Sequence, residues 1–178
     1  MTVRPIRYLG DPVLRRPAKK VSRVDESIRA LLEDMIESMY AAQGVGLAAP
    51  QIGVGLRLVV IGMPDEEPFA LINPVVMRRS GERRVDEGCL SVPGYRGQLT
   101  RSERVVVKAL NEQGREIRVK AEGDLLAQAL EHETDHVNGV LYVDRLDSKD
   151  DLVKLEPAGH VASDEQAERG EEEAGSWR

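Results

Sequence analysis

The order of apolar and polar positions predicts two helices with a β-rich region between them. Residues 25–43 carry apolar side chains three and four positions apart, the pattern of a helix with one buried face. This stripe consists of Ile28, Leu31, Leu32, Met35, Ile36 and Met39. Asp25 is expected to cap the start of the helix, and Gly44 to stop it. The two methionines are therefore interpreted as core residues.

The middle of the chain predicts strands. Short apolar runs occupy residues 56–61 and 69–77, and two more, 104–110 and 116–120, flank an Asn-Glu-Gln-Gly turn. A second helix is predicted from a cap at Asp124 to Asn138, with Gly139 ending it. The order of helix, several antiparallel strands and helix favours an α+β fold over a doubly wound parallel sheet.

Charge divides the chain into two parts. The net charge is -6, and residues 156–178 hold seven acidic and two basic residues, which leaves -1 for residues 1–155. The acidic segment contains few aliphatic residues, so it cannot bury enough apolar surface to offset the entropy of ordering. We therefore expect one folded domain over residues 1–155 and an acidic, disordered tail over 156–178.

Composition excludes several classes of protein. An aromatic content of 3% argues against a stacking platform for single-stranded nucleic acid, and the net negative charge argues against direct nucleic-acid binding. The sequence has neither a membrane-length apolar run nor the apolar core of a signal peptide. A single cysteine excludes an internal disulfide. These features predict a soluble cytoplasmic protein without membrane contacts.

The strongest chemical signal is the H-E-x-x-H motif from His132 to His136. Residues four apart share one face of a helix, so both imidazoles can reach one metal ion. Glu133 lies beside them and can accept a proton from a water molecule at the metal. Two of the three histidines in the chain fall within this window, which favours a metal site over a surface helix with scattered charges.

A third ligand is needed, because catalytic sites of this type combine three protein ligands with an open position. Cys89, His160 or a carboxylate could supply it. His160 lies in the acidic tail, which favours Cys89. A thiolate with imidazoles suits iron(II), zinc, nickel or cobalt, and the ligand types do not choose among them.

The segment from Gly44 to Gln51, Gly-Val-Gly-Leu-Ala-Ala-Pro-Gln, is the third candidate. It contains the spacing of a dinucleotide-binding fingerprint, but it follows a helix, and Pro50 would interrupt any helix that it opened. It also lacks the Gly-Lys-Ser/Thr of a phosphate-binding loop. We interpret it as a loop whose backbone approaches a ligand and whose Gln51 supplies an amide. A plain glycine-rich turn is the alternative.

Taken together, three segments in this order resemble bacterial peptide deformylases. They are residues 44–51, 87–91 (Glu-Gly-Cys-Leu-Ser) and 131–136, and the similarity extends over about residues 4–147. The resemblance implies mostly antiparallel sheets around a central metal-binding helix. It also implies removal of the N-formyl group from the N-terminal formylmethionine of new polypeptides, with release of formate.

The resemblance assigns roles to matching residues. The implied metal ligands are Cys89, His132 and His136. Iron(II) is the metal implied, with zinc, nickel or cobalt as substitutes. Glu133 matches the general acid/base, while the Gln51 amide and the backbone N–H of Leu90 match the groups that stabilise the oxyanion.

The resemblance also implies how a peptide binds. An extended peptide would pair with backbone near Val45, Gly46 and Gly88. The methionine pocket would include Val85, Leu125, Gln128 and Ala129, and Arg96 and Arg101 would lie near the peptide. The implied partners are nascent formylmethionyl peptides, with transient proximity to the ribosome. Docking through the acidic tail is not expected, because RNA phosphate would repel it.

Two other functions remain open from the sequence. An H-E-x-x-H metalloprotease would take its third ligand downstream, where Glu156 and His160 are the candidates. A non-enzymatic metal-binding module would bind metal without releasing formate. Loss of metal in Cys89→Ala would argue against the first, and a formate-release assay would exclude the second.

Overall fold

The computed structural model describes residues 2–155, so the tail expected at residues 156–178 lies outside the described part of the chain. Within residues 2–155, two α-helices and eight strands form, joined by turns and short 3-10 helices. The helices are α1 (Glu26–Ala41) and α2 (Leu125–Val137). The strands are β1 (Gly46–Ala48), β2 (Leu58–Ile61), β3 (Phe69–Ser80), β4 (Arg83–Cys89), β5 (Val92–Arg101), β6 (Arg104–Leu110), β7 (Glu116–Glu122) and β8 (Leu152–Lys154).

The strands of the described region form two antiparallel sheets. The five-stranded sheet has the order β1-β2-β3-β6-β7, and the three-stranded sheet has the order β4-β5-β8. Strand pairing is antiparallel throughout both sheets. The α+β prediction is therefore confirmed, including the hairpin of β6 and β7. No helix within residues 2–155 is long and apolar enough to cross a membrane.

The five-stranded sheet is covered on both faces at its β1–β2 end. Val59 and Ile61 pack in the cluster that includes α2, whereas Leu58 and Val60 pack in the cluster that includes α1. Successive side chains of a strand point to opposite faces, and both faces are covered here, so all four residues of β2 are buried. Burial on both faces explains why this strand is a continuous apolar run.

Both helices begin where the sequence predicted. The side chain of Asp25 accepts a hydrogen bond from the backbone N–H of Ile28 at 3.1 Å, and that of Asp124 accepts one from Ala127 at 2.8 Å. Each cap satisfies a backbone donor that would otherwise lack a partner at the helix start. At the other end of α2, Gly139 adopts a φ of +77°, a conformation that favours glycine.

Helix α2 is the central element for function because its second half is buried on every side. Every residue from 129 to 137 is buried, including the whole H-E-x-x-H motif. Buried polar side chains require hydrogen-bond or ionic partners. The partners include Glu87 on β4, Arg101 on β5 and Arg145 of the 3-10 helix Tyr142–Arg145.

The hairpin of β4 and β5 is the main element that the sequence analysis did not predict. Its strands pair from Arg83↔Arg101 to Cys89↔Val92, with an irregularity after Gly88. The short strands β1 and β8 were also not predicted. This hairpin carries Cys89 and Glu87 to the side of α2, so it supplies one wall of the site.

Candidate active site

Three candidate metal ligands meet between α2 and the end of β4. Cys89, His132 and His136 each offer a ligand atom, and these atoms all lie within 4.8 Å of one another. The Cys89 Sγ lies 3.2 Å from the His136 Nε2. One thiol and two imidazoles form a donor set that fits a divalent metal with an open coordination position. Cys89 is thus the third donor brought to the two histidines within residues 2–155, while His160 lies outside the described residues.

The two histidines are held differently. His132 Nδ1 lies 2.8 Å from a carboxylate oxygen of Glu87, which orients the ring and leaves its Nε2 as the ligand atom. Burial keeps the pKa of His136 well below its ordinary value, so its imidazole stays neutral. A neutral imidazole is the form that binds a metal.

Glu87 belongs to a buried chain of charges behind His132. Arg101 donates two hydrogen bonds to the Glu87 carboxylate, at 2.7 and 3.0 Å, and a third to Asp135 at 2.7 Å. Asp135 also accepts two hydrogen bonds from Arg145. Burial opposes ionisation of Glu87, but the hydrogen bonds from His132 and Arg101 prevail and hold its pKa at about 2. Glu87 therefore remains a carboxylate that fixes His132.

Glu133 lies beside Gly46 of β1. Burial raises its pKa to about 7, and no residue in the range 2–155 donates a hydrogen bond to its Oε2. Its Oε1 lies against β1, where a Cβ added to Gly46 would approach within 2.5 Å. Gly46 therefore leaves room for the carboxylate, and a carboxyl with a pKa near neutrality can both accept and donate a proton.

The Gln51 amide is oriented by its neighbours. Its Oε1 accepts a hydrogen bond from the backbone N–H of Ala48 at 2.8 Å, which directs the Nε2 toward the donor cluster. The Nε2 lies 3.2 Å from Ser91 Oγ and 3.6 Å from Cys89 Sγ. Gln51 is almost completely buried, so this donor is fixed before any substrate binds.

A cavity of about 470 Å³ opens beside these groups. The residues predicted from the sequence that line it are Val45, Gly46, Gln51, Gly88, Cys89, Leu90, Arg96, Leu125, Gln128, Ala129, His132 and Glu133. His136 lies deeper, at 1% exposure.

Two predicted substrate-binding residues lie away from the cavity wall. Val85 packs in the core of the three-stranded sheet beside Leu99 and Tyr142. Arg101 is buried behind Glu87, where its donors bind Glu87 and Asp135. Arg101 was expected near the peptide, but its guanidinium lies in internal ion pairs with Glu87 and Asp135 instead.

Glu87, Asp135 and Leu155 were not predicted from the sequence as functional residues. Glu87 and Asp135 each lie within three residues of a candidate ligand, and metal-binding histidines commonly pair with a carboxylate, so that proximity was the available signal. Leu155, which follows β8, also lines the cavity, and the apolar pattern of the sequence did not predict this position.

Comparisons with known proteins agree with this geometry. Residues 3–151 match the model of the polypeptide deformylase family. The peptide deformylase of Dehalococcoides mccartyi is 52% identical over 158 residues, covering 88% of this chain and 94% of that protein. Among solved structures, a peptide deformylase from Legionella pneumophila is 48% identical with a TM-score of 0.79, covering 82% of this chain and 86% of that one. A Synechococcus elongatus peptide deformylase in complex with actinonin is 44% identical with a TM-score of 0.79, covering 82% of each chain.

Proposed function

The chain belongs to the polypeptide deformylase family, and on that basis we propose which role each residue of the site has in the reaction. The enzyme is a metal-dependent hydrolase that removes the N-formyl group from nascent peptides. The observation that carries the assignment of roles is the meeting of Glu133, Gln51 and the Cys/His/His cluster at one cavity.

Cys89, His132 and His136 would hold the metal. When bound, the metal supplies a Lewis acid that polarises the formyl carbonyl and lowers the pKa of water. We propose iron(II) as the native metal, with zinc, nickel or cobalt as substitutes, since the thiolate and imidazole donors accept each of these ions. Glu87 holds His132 in place through its hydrogen bond to Nδ1.

Glu133 acts as the general acid/base. It accepts a proton from the attacking water and passes that proton to the amine that leaves as the formyl C–N bond breaks. Its pKa of about 7 suits both transfers near neutral pH. Burial excludes bulk water from the carboxyl and thereby favours direct transfer to the substrate.

The oxyanion that develops on the formyl oxygen is stabilised by two donors, the Gln51 Nε2 and the backbone N–H of Leu90. The hydrogen bond from Ala48 fixes the Gln51 amide in advance, so little reorganisation is needed in the transition state. Donors of this kind are worth about 100–1,000-fold in rate.

The formylated peptide binds in an extended form. Strand β1 is one edge of the five-stranded sheet and β4 one edge of the three-stranded sheet. Val45, Gly46 and Gly88 at these edges line the cavity, so their backbone can pair with a peptide by strand addition. Such pairing uses main-chain groups and tolerates many side chains.

The first side chain of the substrate, methionine, lies against Leu125, Gln128 and Ala129 on the first turns of α2. Val85 lies on β4 and packs in the core of the three-stranded sheet. Arg96 stands at the cavity with its guanidinium 3.4 Å from Asp86, so it can approach the peptide backbone. Arg101 positions Glu87 instead of contacting the peptide.

Residues 1–155 form the catalytic domain in this proposal. Because formylmethionyl peptides arise during translation, we infer that the enzyme works in the cytoplasm in transient proximity to the ribosome. The acidic residues between 156 and 178 would be repelled by RNA phosphate, so that segment is not proposed as the docking element.

The test is formate release from formyl-Met-Ala-Ser by anaerobically purified enzyme, with metal analysis of the same sample. About one equivalent of iron and activity that decays in air are expected, because air oxidises iron(II). Metal binding without formate release under any metal would overturn the proposed reaction.

Variants test the individual roles. Gln51→Ala should lower kcat by about 100–1,000-fold, whereas the control Gln98→Ala, an exposed residue of β5, should retain full activity. An unchanged rate for Gln51→Ala would remove Gln51 from the mechanism. Cys89→Ala should lose the metal, and retention of metal would favour a different third ligand.

A further inference from the structure

A buried serine lies behind the two groups that stabilise the oxyanion in the proposed reaction. Ser91 is 0% exposed and does not line the cavity. Its Oγ lies 3.2 Å from the Nε2 of Gln51, which is itself almost completely buried. Because a buried donor needs an acceptor, the Ser91 hydroxyl takes one of the two N–H groups of the Gln51 amide.

Ser91 also adjoins the second oxyanion donor. Leu90 and Ser91 form the turn between β4 and β5, and the backbone N–H of Leu90 belongs to this turn. Gln51 lies on a different element, the 3-10 helix Ala49–Ile52. Two donors stabilise one oxyanion only when both lie about 2.7–3.1 Å from that oxygen, so their separation has to be fixed. The Ser91 hydroxyl links the turn that carries one donor to the side chain that supplies the other.

The Gln51 amide is held at both of its polar atoms. Its Oε1 accepts a hydrogen bond from the backbone N–H of Ala48, and its Nε2 donates to Ser91. The second N–H of Nε2 is left for the donor cluster, where Cys89 Sγ lies 3.6 Å from Nε2. The terminal torsion of a glutamine side chain has a broad energy minimum, so without Ser91 the amide would be held at its oxygen alone.

The backbones of the two elements are held without the serine hydroxyl. The N–H of Arg7 donates to the carbonyl oxygen of Gln51 at 2.7 Å, and the N–H of Leu9 donates to that of Ser91 at 2.8 Å. The backbone N–H of Ser91 also donates to Cys89 Sγ at 3.4 Å. Since these contacts do not use the Ser91 side chain, removal of the hydroxyl should leave both elements and the candidate metal ligand in place.

We propose that Ser91 is a positioning residue that sets the geometry of the oxyanion site by holding the Gln51 amide against the turn that carries Leu90. This inference rests on the proposed function, in which Gln51 and Leu90 stabilise the oxyanion. The oxyanion develops only after water attacks, so a misplaced donor weakens binding of the transition state more than binding of the substrate. Loss of the Ser91 hydroxyl should therefore lower kcat and leave KM nearly unchanged.

The test is a double-mutant cycle on formate release by the metal-loaded enzyme. Ser91→Ala should lower kcat by about three- to tenfold, the effect of one neutral hydrogen bond. In the Gln51→Ala background the same change should alter kcat by less than about twofold, because the amide that Ser91 holds is absent. The metal content of Ser91→Ala should equal that of the parent, since the backbone donor to Cys89 is retained.

Ser38→Ala is the matched control. Ser38 lies on α1, is 1% exposed and does not line the cavity. Its hydroxyl accepts a hydrogen bond from the backbone N–H of Arg4 and donates one to the carbonyl oxygen of Asp34. Ser38→Ala thus also removes a buried, hydrogen-bonded hydroxyl, and it should keep the kcat of the parent.

Four results would overturn the positioning role of Ser91. They are an unchanged kcat in Ser91→Ala, a loss of equal size with and without Gln51, a loss matched by Ser38→Ala, and a loss of bound metal in Ser91→Ala. The last would mean that the hydroxyl acts through the metal ligands. Failure of the parent to release formate, or an unchanged kcat in Gln51→Ala, would overturn the proposed function itself and the role of Ser91 with it.

Discussion

Replacing Arg101 by methionine should destabilise the protein more than any change at an exposed ion pair. Methionine keeps much of the apolar length of the side chain but removes the guanidinium. Arg101 is 4% exposed and bridges two buried carboxylates, with hydrogen bonds of 2.7 and 3.0 Å to Glu87 and 2.7 Å to Asp135. Removal leaves negative charge inside the protein with fewer partners.

The expected size follows from burial. Breaking a buried ion pair by removing one partner lowers the free energy of unfolding by about 3–5 kcal/mol. His132 and Arg145 remain as partners of Glu87 and Asp135, so the lower end of that range applies. For a domain of this size, about 3 kcal/mol corresponds to a fall in Tm of roughly 6–12 °C.

The measurement is urea and thermal unfolding of the metal-free proteins. The matched control is Arg104→Met, because Arg104 forms an ion pair with Glu122 in which both side chains are about 60% exposed. Exposed pairs contribute little, so this variant should unfold almost like the parent. Arg101→Lys should recover only part of the loss, since an ammonium group cannot bind a carboxylate in the two-pronged manner of a guanidinium. A fall in Tm for Arg101→Met no larger than for Arg104→Met would refute the reasoning.

Three further predictions concern buried groups. Burial raises the pKa of Glu133 from 4.5 to about 7 in the folded chain, so the folded state binds its proton more tightly, and the stability from this group falls as the pH rises from about 4.5 to 7. Glu133→Gln should flatten the pH dependence of the free energy of unfolding in the metal-free protein, and parallel curves for parent and variant would contradict this. Tyr142→Phe should leave Tm unchanged or raise it, because the hydroxyl of Tyr142 is buried without a hydrogen-bond partner among residues 2–155. A clear fall in Tm would mean that the hydroxyl has a partner. Gly46→Ala should abolish most formate release, because the new methyl group would lie 2.5 Å from Glu133 Oε1. Gly55→Ala, where a Cβ meets nothing within 4 Å, is its control, and equal activity of the two variants would refute the steric argument.

The elements that sequence reasoning found are those with regular apolar spacing. Helix α1 and the β6–β7 hairpin were predicted nearly to their ends because most of their buried side chains are apolar. Helix α2, whose buried half is largely polar, was predicted from Asp124 at its start and Gly139 after its end. The cluster of candidate ligands was also predictable, since two histidines four apart on a helix and a single cysteine left few alternatives.

The β4–β5 hairpin was not predicted from the sequence because charged residues occupy some of its buried positions. In β4 the buried residues are Val85 and Glu87, and β5 ends in the buried Arg101. A pattern of apolar alternation cannot detect a strand whose inward positions are charged. The ion pairs that make such burial tolerable join residues 14 and 34 positions apart, so they arise from tertiary packing alone.

The donor set is divided between the two sheets of the fold. Cys89 belongs to the three-stranded sheet, while the two histidines lie on α2, which packs on the five-stranded sheet. A metal ion bound by all three is therefore a cross-link between the two halves, and it stabilises only the chain in which they are docked. Chelation would consequently loosen the molecule as well as stop its chemistry.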